Sequence, residues 1–409
     1  MGQHTASKRG MRKRKVVWVL INVSHYHEAR WAAFARLSNY QASVIEIANR
    51  DAGFVQLESE SKNRFDRVTL FPSVHWREIT ARRRQKAISA ALNKIDPDVV
   101  CINGWSIGGA LASLYWCLKR GRRCVIFSES NASDKSRSPM VERIKKRLIG
   151  LGDAALVGGT AARTYLMDLG FSLDRLFVGY DVVDNHHFAR RLASGKPVAP
   201  KPELAPDGPF FIAAARFEEK KNHGRLLEAY ALYRTKAGSD AWPLVILGDG
   251  SLRPTIEVER SRLALNNAVV LPGFIGYQEL PSWYQSASCF VHPSTTEQWG
   301  LVVNEAMAAG LPVLVSERCG CAADLVEEGV NGFTFDPFVP AQLAMRMYRL
   351  AHQENNAMKM GRESQRVIAD WGPECFASGL SQAVEAALSA PAKRPDIADK
   401  LLLLALSNR

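Results

Sequence analysis

The chain has 409 residues, 47% of them apolar, with 53 Lys/Arg against 41 Asp/Glu and a formal net charge of +12. This length and composition give two domains or one large one with real cores, and exclude a chain too polar to fold. Seven cysteines, an odd number without paired spacing, exclude a disulfide framework; Cys319 and Cys321 flank Gly320 with no accompanying ligand cluster, so reduced thiols and no metal site are expected.

The charge is unevenly spread. Residues 1–200 hold 33 Lys/Arg and 17 Asp/Glu, a net +16, whereas residues 201–409 hold 20 and 24, a net −4. Two lobes with different partners are expected from that asymmetry.

A basic, polar segment occupies residues 1–15. The apolar run after it, VVWVLINV (16–23), is too short to span a membrane and predicts a first strand. Short apolar runs then alternate with helical periods, the pattern of a parallel sheet covered by helices. Strands are predicted near 43–48, 66–71, 98–103, 123–128 and 154–158, with helices near 28–38, 77–94, 106–120, 139–150 and 160–169. The proline-rich stretch RRLASGKPVAPKPELAPDG (190–208) lacks an apolar period and predicts a linker over 191–208. A second series begins at PFFIAAA (209–215) and continues through PLVILG (243–248), AVVLPG (268–273), CFVHP (289–293), PVLVS (312–316) and GFTFD (332–336). The tail is helical from about 340 to 390, and LLLLAL (401–406) reads as a short packed or frayed patch. Two doubly wound domains are expected, 16–190 and 209–372. A ligand cleft would lie between the carboxyl ends of their sheets, and 391–409 would form a tail.

The segment EQWGLVVNE (297–305), followed by AMAAGLPVLVSE, is the most informative part of the chain. Two carboxylates flank a glycine turn that opens a helix. A helix N-terminus offers unpaired N–H groups and partial positive charge to a phosphate, and Gly300 permits close approach. Carboxylates accept hydrogen bonds from sugar hydroxyls. Two glutamates beside a phosphate call for cations from elsewhere, and ARFEEKKN supplies Arg216 and Lys221 after a predicted strand.

This combination resembles the retaining family 4 glycosyltransferases, also described as glycosyl transferases group 1. Glu297 and Glu305 match the family's E-x7-E, and Arg216 and Lys221 its R-x4-K. The glycine loop LGDGS (247–251) and PGF (272–274) stand in the right order, and the resemblance covers about 209–336. It implies the GT-B fold, two Rossmann-like domains facing each other across a cleft, with the nucleotide sugar held by the C-terminal domain, the acceptor by the N-terminal one, and 373–390 as a possible crossover helix back to the first domain. It implies a metal-independent transferase with no cofactor beyond its nucleotide-sugar co-substrate. Arg216 and Lys221 would neutralise the leaving diphosphate, with help from backbone N–H groups near Gly300 and Leu301. Glu297 would hold donor sugar hydroxyls and Glu305 the ribose. Phe274 and Ile275 would lie beside the base, and Gly248 and Gly250 would allow close backbone approach. Taken singly, Arg216 and Lys221 read as surface partners of Glu218 or Glu219, and the glycines as turns.

In the N-terminal half, HYHEAR (25–30) follows the first strand, where this fold places its acceptor loop. The usual glycine-rich loop is absent. His25 and His27 could bind acceptor hydroxyls or phosphate, or lie in a solvated loop. Asn103 could bind a hydroxyl or cap the next helix. Relatives often carry a histidine after the strand that here reads CVIFSES, and Glu129 stands roughly in its place. Glu129 could orient the donor, stabilise developing positive charge or act as a base, or it could pair with Lys135 or Arg137.

Basic clusters occur at Lys8–Lys15, Arg82–Lys86, Lys119–Arg123 and Arg143–Arg147. No nucleic-acid motif accompanies them, which argues against nucleic acid. Contact with an anionic bilayer fits better, with Trp76, Tyr115 and Trp116 as candidate anchors, while any one cluster taken singly reads as a solvated basic face. The sequence therefore points to hexose transfer from a UDP- or GDP-sugar to a glycan or lipid-linked acceptor, in polysaccharide, lipopolysaccharide or glycolipid assembly. The expected setting is cytoplasmic, possible peripheral contact with the inner face of the membrane included. The alternatives are a non-catalytic nucleotide-sugar-binding partner of another transferase and a sugar-nucleotide epimerase of the same fold.

Overall fold

A computed structural model describes residues 12–37, 39–50, 65–134, 137–189 and 200–407. Most of the basic segment 1–15, residues 191–199 of the expected linker, and Lys135 lie outside the described residues.

Thirteen strands are described: β1 (Arg14–Leu20), β2 (Tyr40–Arg50), β3 (Asp66–His75), β4 (Val99–Asn103), β5 (Arg123–Ser128), β6 (Ala154–Val157), β7 (Leu176–Val178), β8 (Phe211–Ala214), β9 (Leu244–Leu247), β10 (Val269–Gly273), β11 (Cys289–His292), β12 (Val313–Ser316) and β13 (Gly332–Phe335). They form a seven-stranded sheet, β3-β2-β1-β4-β5-β6-β7, and a six-stranded sheet, β10-β9-β8-β11-β12-β13. Every pair in the second sheet is parallel. So are β2–β3, β1–β2, β1–β4 and β4–β5 in the first. The sequence explains this arrangement. Val16–Leu20, Val99–Ile102, Phe211–Ala214, Leu244–Leu247 and Val313–Ser316 are unbroken buried runs, as strands covered on both faces require. Only β7, three residues long, has no counterpart among the predicted strands.

Strand order reverses between β1 and β4 in one sheet and between β8 and β11 in the other. In an open parallel sheet, the loops leaving the strands on either side of such a reversal diverge to opposite faces and leave a crevice at the carboxyl ends. The segments Ile21–His27 and Asn103–Ile107 leave the first reversal. Ala215–Asn222 and Pro293–Gly300 leave the second.

The chain divides into two compact units. One comprises Met1–Phe127, Lys145–Ala155 and Ser381–Arg409; the other comprises Ser128–Ile144 and Leu156–Leu380. In the first, Trp18 gathers His27, Trp31 and Phe127 at ring distances of 5.0, 5.4 and 5.2 Å. The first unit also includes the end of the helix Pro373–Ser389, where Tyr40 Oη lies 2.8 Å from Ser381 Oγ and donates to Glu385 at 2.9 Å. The core of the second is built on Phe211, Phe217, Tyr230, Tyr233, Leu244, Ile246 and Met347, all buried.

Candidate active site

The loop after β8 and the loop after β11 meet at the second sheet's reversal. Asn222 fastens them: with φ +59° it donates from Nδ2 to Pro293 O at 3.0 Å and to Pro337 O at 2.9 Å. The Thr295 N–H donates to Lys220 O at 2.8 Å. These bonds bring residues 76 positions apart together, so that Lys221 Nζ donates to Glu297 Oε2. Lys220 Nζ stands 3.8 Å from Glu297 Oε1, and His292 Nε2 stands 3.7 Å from Oε2.

The electrostatics follow from this geometry. Burial alone would push the Glu297 carboxyl up, but His292 and Lys221 outweigh burial and hold it well below the usual carboxylate range. His292 is itself lowered by burial, with neighbouring Lys221 adding to the effect. It is therefore neutral at pH 7, and the compensating charge on Glu297 comes from lysine. The next histidine, His223, is lowered to about 4, by burial first and then by Lys221 and His292. Its ring packs edge-on against Phe217 at 4.8 Å.

Arg216 stands apart from this cluster. Its side chain is 67% exposed and pairs with Glu218 at 3.1 Å, the partner expected of a surface arginine. Gly300 takes φ +111° and precedes the helix Leu301–Ala308, so Leu301 is that helix's first residue. Glu305 lies in the second turn, fully buried, and accepts from Tyr284 Oη at 2.9 Å. Gly248 and Gly250, at φ +133° and +155°, approach the chain's own backbone: a Cβ at Gly248 would stand 2.0 Å from Ala215 O, and one at Gly250 2.8 Å from Phe217 O. These glycines shape the loop that carries Arg216. Phe274 is 62% exposed and Ile275 half-buried.

The segment carrying Glu129 belongs to the same unit as Glu297. Asn131 Nδ2 donates to Gln298 O at 3.2 Å and Glu297 O at 3.4 Å, and Gln298 Nε2 donates to Asp134 Oδ2 at 3.1 Å. Glu129 is half-buried two residues before Asn131. Arg137, one of its expected partners, bonds Asp134 and the Tyr165 hydroxyl.

In the first unit, the crevice at the β1/β4 reversal is a cavity of about 140 Å³ lined by Leu20, Asn22, His27, Ile47, Asn103 and Ile107, among others. His25 opens the helix His25–Ala35. His27 Nδ1 accepts from Ser24 N at 3.1 Å and lies 3.0 Å from Ser24 Oγ, closing the helix's first turn. Burial, and next the charge of Arg30, lower it to about 3. The solvated-loop reading of this pair is therefore replaced by an ordered helix start, with His27 held neutral at the cavity wall. Asn103 Oδ1 accepts from Trp18 Nε1 at 2.6 Å, and the residue at the N-cap of the following helix is Ile107, so Asn103 is not its cap.

Sequence reasoning missed His292, Lys220, Tyr284 and Asn131. Lys220 had a signal in the doublet beside Lys221. Tyr284 and Asn131 meet the site only through contacts 21 and 167 positions apart, and His292 ends a run that reads as a buried strand.

Residues 197–367 match the family of glycosyl transferases group 1. The chain is 34% identical over 127 residues to the alpha-monoglucosyldiacylglycerol synthase of Acholeplasma laidlawii, covering 31% of each protein. It is 26% identical over 281 residues to the amylovoran biosynthesis glycosyltransferase AmsK of Erwinia amylovora, covering 66% of this chain and 65% of that one. The chain spans about a third of the length of the first curated relatives it matches. The structure of Anabaena HepE in complex with UDP-glucose superposes with a TM-score of 0.66 at 18% identity, over 91% of this chain and 99% of that one. This likeness establishes the fold, which is GT-B.

Proposed function

We propose that the chain is a retaining, metal-independent glycosyltransferase that moves a hexose from a UDP- or GDP-sugar to a glycan or lipid-linked acceptor. The observation that carries the reading is the convergence of Glu297, Lys221 and His292 at the reversal of the second sheet, beside the opening of a helix. Similarity to group 1 transferases over 197–367 supports it. So does the fold shared with a protein solved with UDP-glucose.

In this reading Glu297, ionised throughout the physiological range, accepts hydrogen bonds from donor sugar hydroxyls. Lys221, with Arg216 swung in from the surface, meets the diphosphate, and the N–H groups at Gly300 and Leu301 add to them. Glu305 takes the ribose, with Tyr284 holding its carboxylate. Phe274 and Ile275 flank the base, and Glu129 faces the reacting sugar. For the acceptor, His27 and Asn103 at the first unit's cavity are the candidate contacts. The acceptor's hydroxyl oxygen bonds to the anomeric carbon as the carbon–phosphate oxygen bond breaks, and the leaving phosphate takes the hydroxyl proton. This lowers the need for a strong protein base. The glycolipid and polysaccharide enzymes among the relatives motivate an acceptor of that kind.

Acceptor-dependent release of free nucleoside diphosphate tests the reading. Wild type should release it and Glu297→Ala should not, with the variant folded. Release by wild type without acceptor, or equal release by the variant, would count against it.

A further inference from the structure

The helix Ile397–Ser407 divides sharply by face. Asp399, Leu403 and Ser407 point inward: Asp399 accepts from Arg147 Nε at 2.6 Å, and Ser407 Oγ accepts from Gln85 Nε2 at 2.9 Å. The opposite face is Ile397, Ala398, Lys400, Leu401, Leu404 and Ala405, all exposed. Ile397, Leu401 and Leu404 recur at i, i+4 and i+7 and are 76%, 62% and 39% exposed. Such a stripe is a surface built for a partner rather than scattered exposure.

Its surroundings identify the partner. The unit that carries this helix holds 29 Lys/Arg and 13 Asp/Glu, a net +16, while the rest of the chain holds 24 and 28. Arg82, Arg83 and Lys86 are exposed on the helix Ala81–Ile95, whose Gln85 holds the last turn through Ser407. At the other end, Lys393 donates to Gly150 O at 2.9 Å, and Asp396 and Asp399 are taken up by Arg147. Asp399, the one acidic residue of this helix, and Asp396 just before it are thus spent on Arg147, and exposed cations remain at Lys400 on this helix and at Arg82, Arg83 and Lys86 on the helix bonded to it.

A second copy of so basic a surface would be repelled, and nucleic acid offers nothing to three aliphatic side chains. An anionic bilayer satisfies both, with headgroups for the cations and acyl chains for the stripe. We infer that the helix Ile397–Ser407 lies in the surface of an anionic phospholipid bilayer, with Ile397, Leu401 and Leu404 among the acyl chains and the exposed cations on the headgroups. The inference deepens the reading of a lipid-linked acceptor by naming the surface on which the protein would meet it.

The test is co-sedimentation of the full chain with phosphatidylcholine vesicles, with and without phosphatidylglycerol. Wild type should partition to the mixed vesicles and be released by salt. Ile397→Ser/Leu401→Ser/Leu404→Ser should weaken partitioning by about tenfold or more, since burying even one such side chain is worth that much. Arg83→Glu/Lys86→Glu should remove the preference for anionic lipid. In a Cys375→Ser background, Leu401→Cys carrying an environment-sensitive dye should shift to the blue on mixed vesicles; this keeps the test valid if the triple variant misfolds. Indifference of wild type to phosphatidylglycerol, an unshifted dye, or a wild-type dimer that the triple variant abolishes would each overturn the inference. Nucleotide-induced stabilisation of the triple variant should equal wild type, so failure here is separable from failure of the transferase reading.

Discussion

Replacing Lys221 with methionine should cost about 3 kcal/mol of stability, because it strands a buried charge. Glu297 and Lys221 each have a side chain only 13% exposed. Removing one partner of a buried pair costs about 3–5 kcal/mol, most of it the desolvated charge left behind. Lys220 remains at 3.8 Å, but it is 41% exposed and returns no more than about 1 kcal/mol. His292 is neutral and supplies no charge. In a unit of this size, about 3 kcal/mol lowers the melting temperature by roughly 6–12 °C. Lys221→Met/Glu297→Gln removes both charges and should recover most of the loss, giving a coupling energy of about 2 kcal/mol. Urea unfolding of wild type, both single variants and the double variant measures this. A Lys221→Met variant within about 1 kcal/mol of wild type, or a double variant no more stable than that single one, would refute the argument.

Two further outcomes follow from the structure. Gly248→Ala should cost about 3 kcal/mol or more, since its Cβ meets Ala215 O at 2.0 Å with φ +133°. Gly208→Ala, at φ +78° in open space, should cost only about 1 kcal/mol, and paired thermal melts compare the two. Stability should also fall on acidification. His27 and His223 are lowered to about 3 and about 4 in the folded state, so below their ordinary pKa of about 6.5 the unfolded chain binds more protons. Their contribution is intact above pH 6.5 and is lost as pH falls toward 3–4, about 2 kcal/mol for each by pH 5. Glu297 stays ionised in that window and adds nothing to the slope. His27→Asn should reduce the loss between pH 7 and 5 by about 2 kcal/mol, and an unchanged slope would sink the assignment.

The sheets were legible because their strands are continuous apolar runs between turns, and alternation with helices fixed the parallel topology. The three residues of β7 carry too short a signal. Of the site, the need for cations such as Lys221 near Glu297 could be read from the motifs. That His292 would face Glu297 could not, since its segment CFVHP reads as a buried strand whose last residue happens to be polar. Glu305 shows the same limit: the partner that holds it, Tyr284, lies on a separate helix. Gly248 and Gly250 were expected to allow close approach, but the backbone they approach, Ala215–Phe217, is fixed only when β8 and β9 pair. For His27, the sequence weighed ligand against solvated loop and had no access to a third role, closing a helix start at a cavity wall. The compact unit built from residues 1–127, 145–155 and 381–409 depends on chain return, which local patterns do not encode; only the resemblance suggested one, as a crossover helix over 373–390.

The measurement that bears most directly on the central claim is the melting temperature of wild type and Arg216→Ala with UDP, GDP, ADP and their common sugars. Arg216 is exposed and pairs only at the surface, so the variant alone should melt with wild type. A nucleotide bound at a hundred times its dissociation constant stabilises by about 2.7 kcal/mol. The account predicts that one nucleotide and its sugar raise the melting temperature of wild type and fail to raise that of Arg216→Ala. No stabilisation by any of them at millimolar concentration, or equal stabilisation of both proteins, would contradict it.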